Sequence, residues 1–140
     1  MNILILQGPN LNLLGLQSSK SKETLTLDKL NKKIRFHCRA KDISLKIFQT
    51  HKEFQAINFI QRNRKWADKL LFIPTTWAIN NFTILETIKI INISTALVLF
   101  EKPYSFNVRK ELSIFKGEKI KTFTGSPIDS CLDSIDYFLM

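Results

Sequence analysis

The stretch that decides the fold is residues 1–17, MNILILQGPNLNLLGLQ. Residues 3–6 form an apolar run with the length of a short buried strand, and Gly8-Pro9-Asn10 follows it as a turn. A strand that stops in this way places polar side chains at its carboxyl end, where open α/β sheets bind their ligands. We therefore expect a first strand here, with a functional site directly after it.

The rest of the chain alternates strand-type and helix-type patterns. Apolar or alternating runs predict strands at residues 44–49, 69–73, 95–100 and 119–123. Helices are predicted after a cap at Thr26, over residues 53–65, after a cap at Asn80 or Asn81, and from Ser126-Pro127 onward. Uninterrupted apolar strands are typical of a parallel sheet covered on both faces. We predict one α/β domain over residues 1–140, a flavodoxin-like three-layer sandwich with a five-stranded parallel sheet.

Composition narrows the class of protein. The chain has 140 residues, of which 44% are hydrophobic, enough for a core. The first apolar run is too short for a signal peptide, and no run approaches the roughly 18 residues of a membrane span. Cys38 and Cys131 lie far apart on helical patterns, which favours reduced thiols over a disulfide. We expect a cytoplasmic protein without a membrane segment, metal or other cofactor.

The net charge of +9 has two interpretations. Sixteen of the 21 basic residues are lysines, scattered along the chain, and lysine, isoleucine and asparagine together supply 44 residues. This bias is typical of an AT-rich genome, which favours compositional drift. The alternative is a surface that binds anions. We favour drift and do not expect nucleic acid as a partner.

The motif GPNLNLLG at residues 8–15 is specific, and it carries a resemblance that extends along the chain. Weaker anchors agree with it in spacing: Thr26-Leu27, Phe48-Gln49, Glu53, Pro74 and Ser113. The chain resembles the type II 3-dehydroquinate dehydratases, which act in the shikimate pathway of aromatic amino-acid biosynthesis. The resemblance implies the flavodoxin-like fold, conversion of 3-dehydroquinate to 3-dehydroshikimate, and a homododecamer built from trimers.

The resemblance also implies a set of catalytic roles. In the family, a lid tyrosine activated by an arginine removes a proton, and an asparagine holds a water that stabilises the oxyanion. A histidine oriented by a glutamate then protonates the departing hydroxyl. In this chain the asparagine is retained as Asn10. The arginine position falls on Gln17, the tyrosine on Lys22, and the glutamate and histidine on Leu97 and Leu99.

Further pocket positions of the family are also substituted. We expect an apolar pocket, and repulsion of an anionic substrate where its carboxylate would meet Glu101. The substituted positions are Ile73, Thr75 and Thr76 in the family's NPGA turn, Ile79 for a histidine, Glu86 for an aspartate, Phe100 and Glu101 at the carboxylate site, and Lys110 and Phe106 for arginines.

Other side chains offer weak substitutes for the missing groups. Lys22 would act as a base only if it were desolvated, and residues 17–23 are polar, either a solvated loop or a lid. His51 is expected at the same end of the sheet, but without a partner. Tyr104 would have to reach the mouth of the pocket. We expect His37 on a helix, as a surface or boundary residue, and Trp77 in packing.

Three hypotheses follow for the function. The first is a 3-dehydroquinate dehydratase family protein with weak or lost activity. The second is a non-catalytic structural or binding paralogue, and the third is a protein that binds a polyanion through its basic surface. A clustered rather than scattered arrangement of lysines would favour the third, and a flat salt dependence of binding would count against it.

Overall fold

A computed structural model of the chain describes residues 1–19, 24–106 and 108–140. Its strands are β1 (Asn2–Gln7), β2 (Ser44–Gln49), β3 (Lys69–Ile73), β4 (Ser94–Phe100) and β5 (Ile120–Gly125). Its α-helices are α1 (Leu14–Gln17), α2 (Leu27–Arg39), α3 (Glu53–Arg62), α4 (Phe82–Ile91) and α5 (Pro127–Phe138). Short 3-10 helices cover Leu11–Leu13, Thr75–Ile79 and Lys110–Leu112.

The five strands form one parallel sheet in the order β2-β1-β3-β4-β5. β1 lies next to the middle strand, and its Leu6 is in register with Phe48 of β2 and with Phe72 of β3. The carboxyl ends of β1, β3 and β4 therefore meet at one edge of the sheet. This arrangement confirms the predicted flavodoxin-like fold.

Each face of the sheet is covered by its own hydrophobic core. Ile3 and Ile5 of β1 pack with α2 and α5 in a first core, whereas Leu4 and Leu6 pack with α3 and α4 in a second core. Successive side chains of a strand point to opposite faces, so an uninterrupted apolar strand serves both cores. Residues 3–6 are all apolar because they pack alternately into the two cores.

Caps fix several helix starts where the sequence predicts them. The side chains of Thr26 and Ser126 accept hydrogen bonds from the backbone N–H groups of Lys29 and Asp129. Of the two candidate caps for α4, Asn81 is the one used, and it accepts from the N–H of Ile84 at 3.0 Å.

Two predicted elements differ from the structure by more than one residue at an end. α3 ends at Arg62 rather than at residue 65, because Asn63 caps it and donates its side-chain amide to the Phe59 carbonyl at 2.8 Å. β5 covers residues 120–125 rather than 119–123, because pairing with β4 continues to the Phe100–Gly125 pair.

Both cysteines are free and buried, which confirms the predicted reduced core thiols. Burial raises the pKa of the Cys131 thiol, and burial is also the main cause of the raised pKa of Cys38. No helix among the described residues is long and apolar enough to cross a membrane.

Candidate functional site

Two turns at the carboxyl edge of the sheet, one after β1 and one after β3, are joined by hydrogen bonds. The backbone N–H of Gly8 donates to the Ile73 carbonyl at 2.8 Å, and the Thr75 hydroxyl donates to the Pro9 carbonyl at 2.7 Å. A Cβ atom added at Gly8 would lie 2.4 Å from the Pro74 carbonyl oxygen. Glycine is therefore required at this point of the GPN motif, because the two backbones meet there.

Two residues of these turns adopt the left-handed conformation. Asn10 has a φ of 65° and Thr75 a φ of 51°. Asparagine tolerates this region, whereas a β-branched residue is strained there. The resemblance predicts a glycine of the family's NPGA turn at the position of Thr75, where the structure has this strain.

The structure brings Asn10 and His51 together. The backbone N–H of Asn10 donates to Nδ1 of His51 at 3.1 Å, and both residues are exposed at the sheet edge. Because Nδ1 accepts this hydrogen bond, it carries no proton in the contact. Among the described residues, no carboxylate bonds to His51. The pair can hold a water or a polar ligand, but it lacks the oriented acid of a proton-transfer dyad.

Among the described residues, the cavity between the strand ends is small. The cavity at the ends of β3 and β4 has a volume of about 10 Å³, room for roughly one water molecule. Apart from the Thr75 hydroxyl, its side chains are apolar. It is lined by Ile73, Thr75, Val98, Leu99, Phe100, Phe106 and Val108.

The predicted site residues within the strands are divided between the two faces of the sheet. Ile73 and Phe100 belong to the first core, whereas Leu97 and Leu99 belong to the second. Leu97 is 0% exposed and does not line the cavity, whereas Leu99 does. Ile73, Leu99 and Phe100 therefore meet at the edge, while Leu97 lies one layer deeper in the core.

Several other predicted site residues lie at the surface. Ile79 is 43% exposed, and Thr76 and Lys110 are also exposed. Glu86 lies on the outer face of α4, beside Phe82, Leu85, Lys89 and Ile90. This face belongs to a different surface of the chain from the strand-edge cavity.

Near the loop after β4, backbone groups are already engaged. The N–H of Glu101 donates to the Gly125 carbonyl at 2.9 Å, so that amide is taken up by the sheet. Gln17, which was predicted to replace a lid arginine, donates its side-chain amide to the Ser105 carbonyl at 2.9 Å. Lys22 lies outside the described residues.

The remaining candidate residues take part in packing or in a contact between helices. His37 is half-buried, and its Nε2 lies 2.7 Å from a carboxylate oxygen of Asp136, which joins α2 to α5. Trp77 packs against the second core. Tyr104 packs against the first core and lines a groove beside α2, not the strand-edge cavity.

This groove is the feature that sequence reasoning missed. It has a volume of about 1150 Å³ and runs between α2 and the first turn of α5. Five of the 13 residues of α2 are lysines or arginines that line the groove: Lys29, Lys32, Lys33, Arg35 and Arg39. The density of basic residues in α2 could have indicated this groove from the sequence. Its apolar lining could not, because it comes from distant segments of the chain.

Comparison with known proteins assigns the family. The model of the family "Dehydroquinase class II" matches residues 1–138, and the chain belongs to that family. A 3-dehydroquinate dehydratase of Clostridium botulinum (strain 657 / Type Ba4) is 26% identical over 138 residues, covering 99% of this chain and 94% of the relative. One of Dictyoglomus turgidum is 30% identical over 103 residues, covering 74% of this chain and 65% of the relative.

Solved structures agree with the fold. A type II dehydroquinase from Butyrivibrio crossotus has a TM-score of 0.87 at 22% identity, covering 100% of this chain and 98% of its own. A type II dehydroquinase from Propionibacterium acnes has a TM-score of 0.81 at 19% identity, covering 98% and 94%. A 3-dehydroquinate dehydratase-like protein from Bifidobacterium longum has a TM-score of 0.62 at 14% identity, covering 99% and 98%.

Proposed function

We propose that this chain is a 3-dehydroquinate dehydratase by descent whose dehydratase activity is weak or lost. The observation that carries the proposal is the cavity of about 10 Å³ at the strand ends. Pockets for small-molecule substrates commonly enclose about 300–1,000 Å³. Within the described residues, that cavity does not hold a hydroxylated six-membered ring with a carboxylate, and its apolar lining would leave the ring's hydroxyls without partners.

The chemistry of the substituted positions supports the same proposal. The side chains of Gln17, Leu97 and Leu99 neither take nor release a proton near neutral pH. Each missing general acid or base removes roughly 10²–10⁴-fold from a rate, although such losses do not add independently. Asn10 alone retains its family role in this proposal, and the His51 imidazole beside it has no carboxylate among the described residues to orient it.

Turnover tests this proposal directly. Purified protein is incubated with 3-dehydroquinate while the ultraviolet absorbance of the conjugated product is followed, after near-ultraviolet circular dichroism has shown it to be folded. We expect no rate above buffer at high protein concentration. A rate well above buffer that Asn10→Ala abolishes would contradict the proposal. Asn12→Ala is the matched control, since Asn12 is also exposed and lies two residues further along.

A second candidate function is a non-catalytic structural role in a homo-oligomer. The outer face of α4 favours it, because Phe82 is 65% exposed and Ile90 is 75% exposed around a shallow depression. Large apolar side chains grouped on one helix face are typical of an interface. The resemblance suggests assembly through trimers into a dodecamer, with residues 1–140 acting as one domain in the cytoplasm.

Light scattering after size exclusion tests the oligomer. We expect the wild-type chain to form an oligomer, and the double variant Phe82→Ser/Ile90→Ser to shift towards the monomer. Phe36→Ser serves as the control, since Phe36 is equally exposed but lies on α2, on the opposite face of the sheet. A wild-type monomer, or equal dissociation by the control, would count against this role.

A further inference from the structure

The groove beside α2 combines an apolar lining with a basic rim. Its volume of about 1150 Å³ is ample for several side chains, unlike the cavity at the sheet edge. Leu25, Tyr104, Pro127 and Ile128 supply apolar surface, and the Phe36 ring, 69% exposed, lies on the α2 side. An exposed aromatic ring above an apolar lining is typical of a docking site.

Basic side chains outnumber acidic ones on the described lining of the groove. Lys32 is paired with Asp28 at 3.1 Å, but Lys33, Arg35 and Arg39 form no salt bridge with any described residue. Asp129 is the one acidic side chain on the described lining. Cations without carboxylate partners around an apolar concavity produce a positive potential that favours an anionic ligand with apolar parts.

We propose that this groove docks an acidic segment of a partner polypeptide that also carries apolar side chains. The apolar side chains of the segment would pack against Phe36 and Ile128, and its carboxylates would pair with Lys33 and Arg35 at the rim. Arginine favours such pairing because its planar donors match a carboxylate. The proposal is independent of the dehydratase question, since none of these residues lines the strand-edge cavity.

Other occupants fit less well. A second copy placed about a twofold axis would bring this basic surface against itself on chains that each carry a net charge of +9. A nucleic acid would bind through its phosphates and leave the apolar lining of Leu25, Pro127 and Ile128 without a partner. The start of α5 is no phosphate site, because Pro127 lacks an N–H and the N–H of Asp129 already donates to Ser126.

Fluorescence anisotropy with defined probes tests the proposal. The main probe is a labelled peptide of about 12 alternating glutamates and leucines, long enough to follow α2 in an extended conformation. A polyglutamate and an oligothymidylate of equal length serve as comparison probes. We expect the glutamate–leucine peptide to bind most tightly, with an affinity that falls as the salt concentration rises.

Two variants and a matched control locate the binding. Lys33→Glu/Arg35→Glu and Phe36→Ser alter exposed side chains, and each is expected to weaken the main probe about tenfold or more. Lys65→Glu/Lys116→Glu makes the same change of charge at exposed positions outside the groove and should leave the affinity within about twofold.

Each contrary result overturns the proposal. Equal weakening by the control variant would mean that net charge alone attracts the peptide. Tighter binding of oligothymidylate would assign the surface to nucleic acid. Equal binding of polyglutamate, with no effect of Phe36→Ser, would remove the apolar part of the site, and no binding by the wild-type chain would remove the site altogether.

Discussion

The Thr75 hydroxyl donates to the Pro9 carbonyl at 2.7 Å and holds a β-branched residue at a φ of 51°. This hydrogen bond joins the turn after β3 to the turn after β1, the two turns that shape the carboxyl edge of the sheet. The left-handed region costs a residue with a Cβ roughly 1–2 kcal/mol, an amount similar to a net hydrogen bond of about 0.5–1.5 kcal/mol.

Replacing Thr75 separates these two effects. Thr75→Val removes the hydroxyl but keeps the strain, so we expect a loss of about 1–2 kcal/mol in the free energy of unfolding. Thr75→Gly removes both the hydroxyl and the strain, and we expect its free energy of unfolding to lie within about 1 kcal/mol of that of the wild-type chain. Urea unfolding of the pair measures the difference. A glycine variant less stable than the valine variant would show that the left-handed conformation is not strained.

Gly8 provides a test of the close approach between the same two turns. An alanine Cβ at this position would lie 2.4 Å from the Pro74 carbonyl oxygen, so the backbones must separate. We expect Gly8→Ala to cost about 1–3 kcal/mol by thermal or urea unfolding. Gly117→Ala is the control, since its nearest added contact is 3.5 Å away, and should change stability by no more than about 0.5 kcal/mol. Equal costs would refute the steric argument.

Restoring the family's carboxylate at Leu97 should destabilise the fold. Leu97 is 0% exposed within the second core, so Leu97→Glu would bury an unpaired charge at a cost of about 3–5 kcal/mol. Adding Leu99→His should recover part of this loss, because an imidazole two residues along the strand faces the same core. Leu97→Met, a volume-conserving control, should cost less than about 1.5 kcal/mol. A fully stable Leu97→Glu chain would mean that water reaches this layer.

The buried thiols predict a decline of stability at alkaline pH. Burial raises the pKa of Cys131, so the folded state keeps its proton while the unfolded thiol ionises near an ordinary pKa of about 8.5. The contribution of Cys131 to the free energy of unfolding is therefore fully present below the pKa of the unfolded thiol. It falls as the pH rises above that value. Between about pH 7.5 and 9.5 we expect the wild-type chain to lose about 1 kcal/mol more than Cys131→Ala. Identical pH profiles in urea unfolding would contradict this.

Local patterns accounted for most of the fold. The apolar runs, the caps at Thr26 and Ser126, and the proline at the start of α5 act over a few residues, so they can be recognised in the sequence. The errors lie where longer-range contacts intervene. Asn63 ends α3 with the help of Lys46 on β2, whose amino group donates to its side-chain oxygen at 2.9 Å, and pairing with β4 extends β5 to Gly125.

The candidate site was predicted less completely. The motif at residues 8–15 identified the edge of the sheet, and His51 was expected at the same end. The contact between its ring and the Asn10 N–H was not predicted, because it joins residues 41 positions apart. The depth of Leu97 and the outward position of Glu86 depend on which face each element turns to its neighbours.

The sequence by itself determined the family and the order of strands and helices along the chain. These follow from short motifs and from hydrophobic periodicity, which are properties of the chain alone. Only the tertiary structure decided how much space remains at the strand ends, and that Phe36 and the cations of α2 meet Tyr104 and Ile128 across a groove. Volume and charge complementarity arise from segments far apart in sequence, so they exist only once the chain has packed.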